Sequence, residues 1–555
     1  MSYSLFQKIP SLLLQHGVKQ VVLSPGSRCA PLTIPIVRHG GLHTISVVDE
    51  RSAAYVALGI SVQSRSPVAM VCTSGTAALN YAPAIAEAFY LGVPLIAITA
   101  DRPEEWINQN DGQSIQQRDL YGKHVKASFQ LPADLTHPDA QWSFLHKMQE
   151  AISLAQEAPK GPVHLNIPLR EPLYTNAHLH FEELVPTWKH HPILPEKIDQ
   201  FLAKELEQEL KSVRSILWVH GQDSVGLKLK CASLIPVAGE VSSNLRGQTV
   251  TMLDGICSLS ESALPSMPDL LITSGGNIAS RNIRQFLRNG KPMFHWHLGT
   301  RNNIEDTFQH ITRHIRYTPE LLDDWLSRNL KKESPDDGYR AMWHEKSRHI
   351  LECFYKKSNE NFTEFEALET CLQFIPARSH LHLGNSMPIR YADYLGHCLK
   401  ESQPIHCNRG TSGIDGVLST AVGAALATTR QVWCLLGDVS FFYDQNALWN
   451  NQLPQHLRVV VLNNQGGGIF RMLNGSSEQA ELEDWFETRH ERSAESIAAS
   501  YGLRYYQAST SDKLKKQLKE FVKEDGLPAL LEIHTDAIQN TAHFKEFKQL
   551  IKSSL

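Results

Sequence analysis

The sequence predicts an α/β protein made of doubly wound parallel sheets, and two observations carry that prediction. Apolar runs of strand length, lacking polar alternation, end in small or turn-forming residues, and helix-like segments such as RSAAYVALGISVQ separate them. In the first third these runs are KQVVLSPGS (19–27), LHTISVVDE (42–50), PVAMVCTSG (67–75), VPLIAITAD (93–101) and GPVHLNIPL (161–169). Runs without alternation read as strands covered on both faces. Strand, helix, strand succession with short turns gives a parallel sheet with helices on both sides.

The same rhythm returns twice. A central block has strands at ILWVHG (216–221), DLLITSGG (269–276) and PMFHWHLG (292–299), and a polar helical run over about 318–360 follows it. A third block has SHLHLGNS (379–386), QPIHCNRG (403–410), QVWCLLGD (431–438), LRVVVLNN (457–464) and PALLEIHTD (528–536). Residues 174–197 are rich in Pro and His, have no clear period and read as a linker. The first and third blocks match in detail: each has a strand, a small-residue turn, a helix, a Pro and a strand, then a Gly and Pro entry into a last strand. Two such halves suggest a ligand held between them, although any two doubly wound domains share much of this rhythm.

A chain of 555 residues exceeds one core and suggests about three or four domains. Its 42% apolar and 20% charged residues are ordinary for a soluble globular protein. A net charge of −4 gives no reason to expect nucleic acid or an anionic membrane as partner. The nine cysteines are scattered, odd in number and never in a CxxC pair, which argues for reduced thiols in the cytoplasm. The N-terminus lacks a secretory signal pattern, and no run approaches the roughly 20 apolar residues of a membrane span.

Ligands of open parallel sheets sit at the carboxyl ends of strands. In the third block those ends carry Asn385 and Ser386, Asn408 to Gly410, Gly437 and Asp438, and Asn463 to Gly468. The stretch VVVLNNQGGGIF (459–470) does not continue into a phosphate-binding P-loop, because Ile469 and Phe470 replace the required Lys and Ser or Thr. Asp438 and Asn464 end strands that the helix between them makes neighbours. One carboxylate, one amide oxygen and a backbone carbonyl from the Gly turn form a hard-oxygen site with room for phosphate oxygens, which suits Mg²⁺. Taken alone, Asp438 also reads as a helix N-cap.

GDVSFFYDQNALWNNQLPQHLRVVVLNN (437–464) resembles the diphosphate-binding motif of thiamine diphosphate enzymes, departing from it by Val439 where many members have Gly. Together with SPGSRCAPLT (24–33), VVDERSAAYVALG (47–59), TSGTAALNYAPA (73–84), ITADRPEE (98–105), LGNSMPIR (383–390), NRGTSGIDG (408–416) and NNQGGGIF, it resembles the 2-succinyl-5-enolpyruvyl-6-hydroxy-3-cyclohexene-1-carboxylate synthase (MenD) family. The likeness runs nearly end to end over the first and third blocks and is weaker in the middle. It implies three Rossmann-like domains: pyrimidine-binding over 1–180, central over 198–340 and diphosphate-binding over 360–555. It also implies thiamine diphosphate with Mg²⁺, for which Mn²⁺ can substitute, and a homodimer or dimer of dimers with active sites between subunits. The implied reaction is decarboxylation of 2-oxoglutarate and 1,4-addition of the succinyl unit to isochorismate, in menaquinone biosynthesis.

By the same resemblance Glu50 is the catalytic acid that shares a proton with the aminopyrimidine, a role that a raised pKa in an apolar crevice suits; a surface pair with Arg51 is its bland alternative. Asp438, Asn464 and the Gly466 carbonyl should ligate the metal, and Ser412, Gly413, Ile414 and Ser440 should contact the cofactor, with Ile414 propping it. Both substrates are dianions, which arginine forks suit. Ser27, Arg28, Arg102, Gln113, Ser386, Arg390 and Arg409 are therefore expected at the substrates, the arginines in turns or at strand ends. Arg281 is a weaker candidate, because Ser280 replaces one of two basic residues seen in some members. Ile469 and Phe470 should wall the pocket, with plain core packing as the competing role. His295 and His297 lack a third ligand and read as structural.

Other functions stay open at this stage. A thiamine diphosphate 2-oxoacid decarboxylase or carboligase with another substrate shares the motif, but would want apolar pocket residues instead of several arginines. A nucleotide-binding oxidoreductase lacks its GxGxxG fingerprint here. A non-catalytic relative has no need of Glu50, Asp438 and Asn464 together.

Overall fold

The computed structural model describes residues 3–174, 179–181, 185, 187–188, 196–299, 304–333, 336–356, 361–400, 403–523 and 526–554. Most of the expected linker at 174–197 lies outside them.

Among the described residues seventeen strands form three sheets. The first holds β1 (Gln20–Leu23), β2 (His43–Ser46), β3 (Val68–Cys72), β4 (Leu95–Asp101), β5 (Ser128–Gln130) and β6 (Val163–Pro168). The second holds β7 (Ile216–His220), β8 (Val237–Gly239), β9 (Leu270–Ser274), β10 (Phe294–Leu298) and β11 (Arg313–Ile315). The third holds β12 (His380–Leu383), β13 (Ile405–His406), β14 (Val432–Gly437), β15 (Leu457–Asn463), β16 (Arg504–Ala508) and β17 (Ala529–His534). All pairings in the ladders are parallel. The polar run before the third block forms two helices, Pro319–Glu333 and Asp337–Tyr355.

Strand order resolves what rhythm alone left open. The first sheet runs β2-β1-β3-β4-β6-β5 and the third β13-β12-β14-β15-β17-β16. Numbered from its own first strand, each is 2-1-3-4-6-5. The central sheet, read from its β8 edge, is 2-1-3-4-5. The chain thus repeats one doubly wound plan three times, with the first and third copies alike to the last strand. In this plan the crevice opens beside strand 1, where the winding reverses.

Helices Glu50–Ser64 and Val417–Leu426 join the first and third sheets. Ten of fifteen residues of the former and nine of ten of the latter are buried. A helix apolar all round needs cover all round, and one core cluster surrounds both, drawing on Val68, Met70 and Cys72 of β3 and Cys434, Leu436 and Val459 of β14 and β15. The crossing is close and reciprocal. A Cβ on Gly59 would meet the Thr420 carbonyl oxygen at 1.9 Å, and one on Gly423 would meet the Val56 oxygen at 2.0 Å. Each glycine lies three residues after the carbonyl that receives its partner. Tyr55 adds a hydroxyl bond of 2.6 Å to Asp415, and its ring leaves no room for a side chain on Gly416.

Candidate active site

β14 and β15 are adjacent, with Gly437 beside Leu462, so Asp438 and Asn464 emerge together at the carboxyl edge of the third sheet. Asp438 is the first residue of a helix, Asp438–Tyr443, and is not its N-cap. Its Oδ1 accepts the Val439 N–H at 2.6 Å, and its Oδ2 accepts the Gly466 N–H at 2.9 Å, with His490 Nε2 3.4 Å away. The turn after β15 bends through a left-handed Gln465 (φ 66°) and not through a glycine. Gly466 and Gly468 are small for contact reasons: a Cβ at either would lie 2.8 Å from the Glu487 carbonyl or the Asn464 amide nitrogen. The Gly466 carbonyl accepts the Gly468 N–H at 3.0 Å and keeps a second lone pair.

Asn464 presents a buried acceptor that no protein donor meets among the described residues. Its side chain is buried, its Nδ2 donates to Glu364 Oε1 at 2.8 Å, and its Oδ1 is buried with no hydrogen-bond partner among the described residues. A buried acceptor without a donor is costly unless something else meets it. Among the described residues no cluster of three His, Cys, Asp or Glu side chains could hold a metal ion. A cation at Asp438, Asn464 and Gly466 would therefore be held by one carboxylate and two neutral oxygens, and would draw further oxygens from a ligand such as a diphosphate. That donor set fits Mg²⁺.

The loop after β13 approaches the same edge. Ser440 donates its hydroxyl to the Ile414 carbonyl at 2.5 Å, and Asn385 donates to the Asn408 and Gly413 carbonyls at 2.6 Å each. Ile414 keeps 37% of its surface exposed, an unusual state for an isoleucine beside a core. Ser412 (φ 65°) and Ser386 (φ 73°) hold left-handed backbone that non-glycine residues adopt only under constraint. A buried carboxylate from the first block pins this loop: Glu87 accepts the Gly410 N–H, the Thr411 N–H and the Thr411 hydroxyl at 2.8, 2.7 and 2.6 Å.

The arginines divide into two groups. Arg409 is buried, donates to Asn385 Oδ1 at 3.1 Å and leaves its Nε buried without a partner among the described residues. Arg390 lies within the helix Met387–Tyr394, not in a turn or at a strand end as expected, and donates to the Ser386 carbonyl. Near both stands Arg284, a residue the sequence did not single out. Burial first, then repulsion from Arg409, lowers the pKa of Arg284 and of Arg390. Among the described residues none of the three has a carboxylate ion pair. Arg284 and Arg409 line a cleft of about 800 Å³ at the carboxyl edge of the central sheet, with Gln222, Ser274 and Asn277. Glu240 lies close to this group, accepting the Ala279 and Ser280 N–H groups at 2.6 Å each. Arg281 is exposed one turn earlier on the helix Arg281–Asn289, which Ser280 caps. Arg284 lies on the same helix face one turn further along, and it is Arg284, not Arg281, that lines the cleft with Arg409.

The candidates of the first block are placed separately. Glu50 opens its helix behind the N-cap Asp49, is half-buried and has its pKa raised, first by burial. Among the described residues it has no ion pair with Arg51, which instead donates to the Tyr443 carbonyl at 2.8 Å and stacks over the Tyr443 ring. No bond joins Glu50 to Asp438 or Asn464 among the described residues. Arg28 is buried and donates to the Leu169 carbonyl at 2.8 Å, with Ser27 exposed beside it. Arg102 pairs with Asp111 at 3.0 Å and donates to the Gly112 carbonyl at 2.6 Å, ahead of an exposed, left-handed Gln113. Ile469 packs partly on the core, and the Phe470 ring sits 5.8 Å from that of Phe486, so neither is fully buried. His295 and His297 share the Thr273 hydroxyl at 2.8 and 2.9 Å, and burial lowers the pKa of both.

Residues 5–120 match the thiamine pyrophosphate enzyme N-terminal TPP binding domain, and residues 390–533 match the C-terminal TPP binding domain. A 2-succinyl-5-enolpyruvyl-6-hydroxy-3-cyclohexene-1-carboxylate synthase of Cytophaga hutchinsonii is 43% identical over 98% of both chains. Proteins of the same name from Christiangramia forsetii (36%, over 99% of this chain and 100% of that one) and Desulfotalea psychrophila (37%, over 94% and 96%) are also similar.

Proposed function

The chain belongs to the 2-succinyl-5-enolpyruvyl-6-hydroxy-3-cyclohexene-1-carboxylate synthase family of thiamine diphosphate enzymes, and from that premise we propose that it decarboxylates 2-oxoglutarate and adds the succinyl unit to isochorismate in a 1,4 sense, as a step of menaquinone biosynthesis. The observation that carries this substrate choice is the gathering of Arg284, Arg390 and Arg409, none of them in a salt bridge among the described residues although Glu240 and Asp254 lie near. Three guanidiniums brought together against mutual repulsion are a stable arrangement once dianionic substrates occupy them.

When bound, thiamine diphosphate supplies the electron sink that lets a 2-oxo acid lose CO₂ and its carbonyl carbon act as a nucleophile. Asp438, Asn464 Oδ1 and the Gly466 carbonyl hold Mg²⁺, or Mn²⁺ in its place. Ser412, Gly413, Ile414 and Ser440 line the cofactor, and Ile414 is the apolar prop. Glu50 shares a proton with the pyrimidine N1′, and its raised pKa, caused by burial, suits that sharing. Arg28, Arg102, Arg390, Arg409 and Arg284 fix the carboxylates, while Ser27, Gln113, Ser386, Ile469 and Phe470 shape the pocket. We leave Arg281 outside it.

Residues 1–180 serve as the pyrimidine-binding domain, 198–340 as the central domain and 360–555 as the diphosphate-binding domain. Glu50 and the metal ligands meet across two subunits, which makes a homodimer, or a dimer of such dimers, the working unit. Nine cysteines with no disulfide among them suit a reducing cytoplasm.

The decisive assay is CO₂ release from 2-oxoglutarate with thiamine diphosphate and Mg²⁺, with and without isochorismate. Full turnover should need all four. Turnover on pyruvate with none on 2-oxoglutarate would refute the assignment. Glu50→Gln should slow C2 proton exchange of the bound cofactor about 10²- to 10⁴-fold, and exchange at the native rate would remove Glu50 from its role.

A further inference from the structure

Glu364 is a fully buried carboxyl group that the proposed reaction does not use. It is the first residue of the helix Glu364–Phe374, whose start is set by a capping box between Thr363 and Glu366. Its Oε1 accepts the Asn464 Nδ2–H at 2.8 Å. The backbone N–H of Glu364 donates to Asn540 Oδ1 at 2.9 Å, which ties the position to the C-terminal helix Ala537–Ser553. The backbone that carries the carboxyl group is therefore fixed independently of Asn464.

The consequence lies in the chemistry of an amide. One end of a carboxamide donates and the other accepts, so a carboxylate that takes the NH₂ group turns the oxygen the opposite way. The turn after β15 leaves room for that group, since a Cβ on Gly468 would sit 2.8 Å from Asn464 Nδ2. What points away from Glu364 is the buried, unpartnered Oδ1.

We propose that Glu364 is the positioning residue of the metal site: it locks the Asn464 amide so that Oδ1, and not the NH₂ group, faces the cation held by Asp438 and the Gly466 carbonyl. This rests on the reading of Asn464 as a metal ligand given above. Without Glu364 no hydrogen bond among the described residues sets which end of the amide faces the cation. Outer groups of this kind typically change metal affinity by about 10- to 100-fold.

The test is Mn²⁺ binding in the presence of thiamine diphosphate, followed by the electron paramagnetic resonance signal of free Mn²⁺. Glu364→Ala should weaken binding about 10- to 100-fold. Glu364→Gln, whose Oε1 can still accept from Asn464, should bind within about threefold of the native chain. In an Asn464→Ala background, Glu364→Ala should add less than about threefold, because the group it orients is gone. A purely structural role would weaken binding equally in both backgrounds, and that result, or native affinity in Glu364→Ala, overturns the proposal alone. Native affinity in Asn464→Ala overturns the metal reading beneath it as well. If Glu364→Ala gives no soluble protein, Glu364→Asp decides the matter, since it keeps the carboxyl group but draws it back by one methylene.

Discussion

Replacing Gly423 by alanine sets two physical effects against each other, and the structure decides between them. By helix propensity, Gly to Ala inside a helix stabilises by about 1 kcal/mol. By contact, the new Cβ would lie 2.0 Å from the Val56 carbonyl oxygen, whereas carbon and oxygen approach to only about 3.3 Å in the tightest favourable contacts. The shortfall is roughly 1.3 Å, and the obstacle is backbone of a buried helix, so no rotamer change relieves it. The helices Glu50–Ser64 and Val417–Leu426 must part, and the alanines packed between them, Ala53, Ala57, Ala421 and Ala424, are all 0% exposed with nothing to fill the gap. Overpacking costs about 1–3 kcal/mol, and the looser packing of the surrounding alanines adds to that, so Gly423→Ala should lower stability by ~3 kcal/mol despite its better propensity. Gly59→Ala should do the same, because its Cβ meets the Thr420 oxygen at 1.9 Å. Since either substitution opens the same crossing, the pair should cost at least about 1 kcal/mol less than the sum of the singles. Urea midpoints of the four proteins measure this directly. A Gly423→Ala variant as stable as the native chain, or strictly additive losses, would refute the close reciprocal crossing.

Two further outcomes follow from buried carboxyl groups. Glu87→Ala removes the acceptor of the Gly410 and Thr411 N–H groups and of the Thr411 hydroxyl, and because water can reach these donors each bond lost costs about 0.5–1.5 kcal/mol. The loop carrying Arg409 and Ser412 should loosen, seen as faster amide exchange over 408–413 and a raised KM; exchange unchanged there would show that the loop holds itself. Burial pushes the pKa of Asp444 up from 3.8 to about 7, although the Ser419 N–H and hydroxyl both donate to it at 2.8 Å. Between those values the folded chain keeps a proton that the unfolded chain has released, so stability falls as pH rises from about 4 to about 7 and levels off beyond. About three pH units at 1.36 kcal/mol each set an upper bound of ~4 kcal/mol. Asp444→Asn should flatten that part of the Tm profile, and an unchanged slope would assign it to other groups.

The central strands were legible in the sequence because both their faces are covered, which leaves unbroken apolar runs such as VAMVC, LIAITAD and VVVLN. Four strands were not: β5, β8, β11 and β16. Each is the outermost strand of its sheet, and three of them are three residues long. An edge strand needs no continuous apolar run, and RYYQA or SFQ carries no signal that separates it from a loop. The active-site edge shows the same division. Asp438 and Asn464 could be paired from spacing because one helix between two parallel strands makes those strands neighbours. Arg284 could not be chosen over Arg281, since the choice depends on which turn of a helix meets a loop 125 residues away in sequence, Arg409. Glu364 announces a helix start through its TxxE context, but its reach to Asn464 across 100 residues leaves no local trace.

Sequence by itself determined the family, the three doubly wound blocks and the residue types at the strand ends, because hydrophobic period and turn chemistry are local properties. Only the tertiary structure decided that the first and third sheets share one strand order, that two glycines permit their helices to touch, which arginines gather, and which way the Asn464 amide points. Those facts depend on the direction of side chains from elements far apart in the chain, and direction is fixed by packing. The stretch NNQGGG shows both levels: its composition marks a ligand turn, but it is Glu487, Asn464 and Gln465 in place that make two of its glycines a matter of contact and leave the left-handed bend to a glutamine.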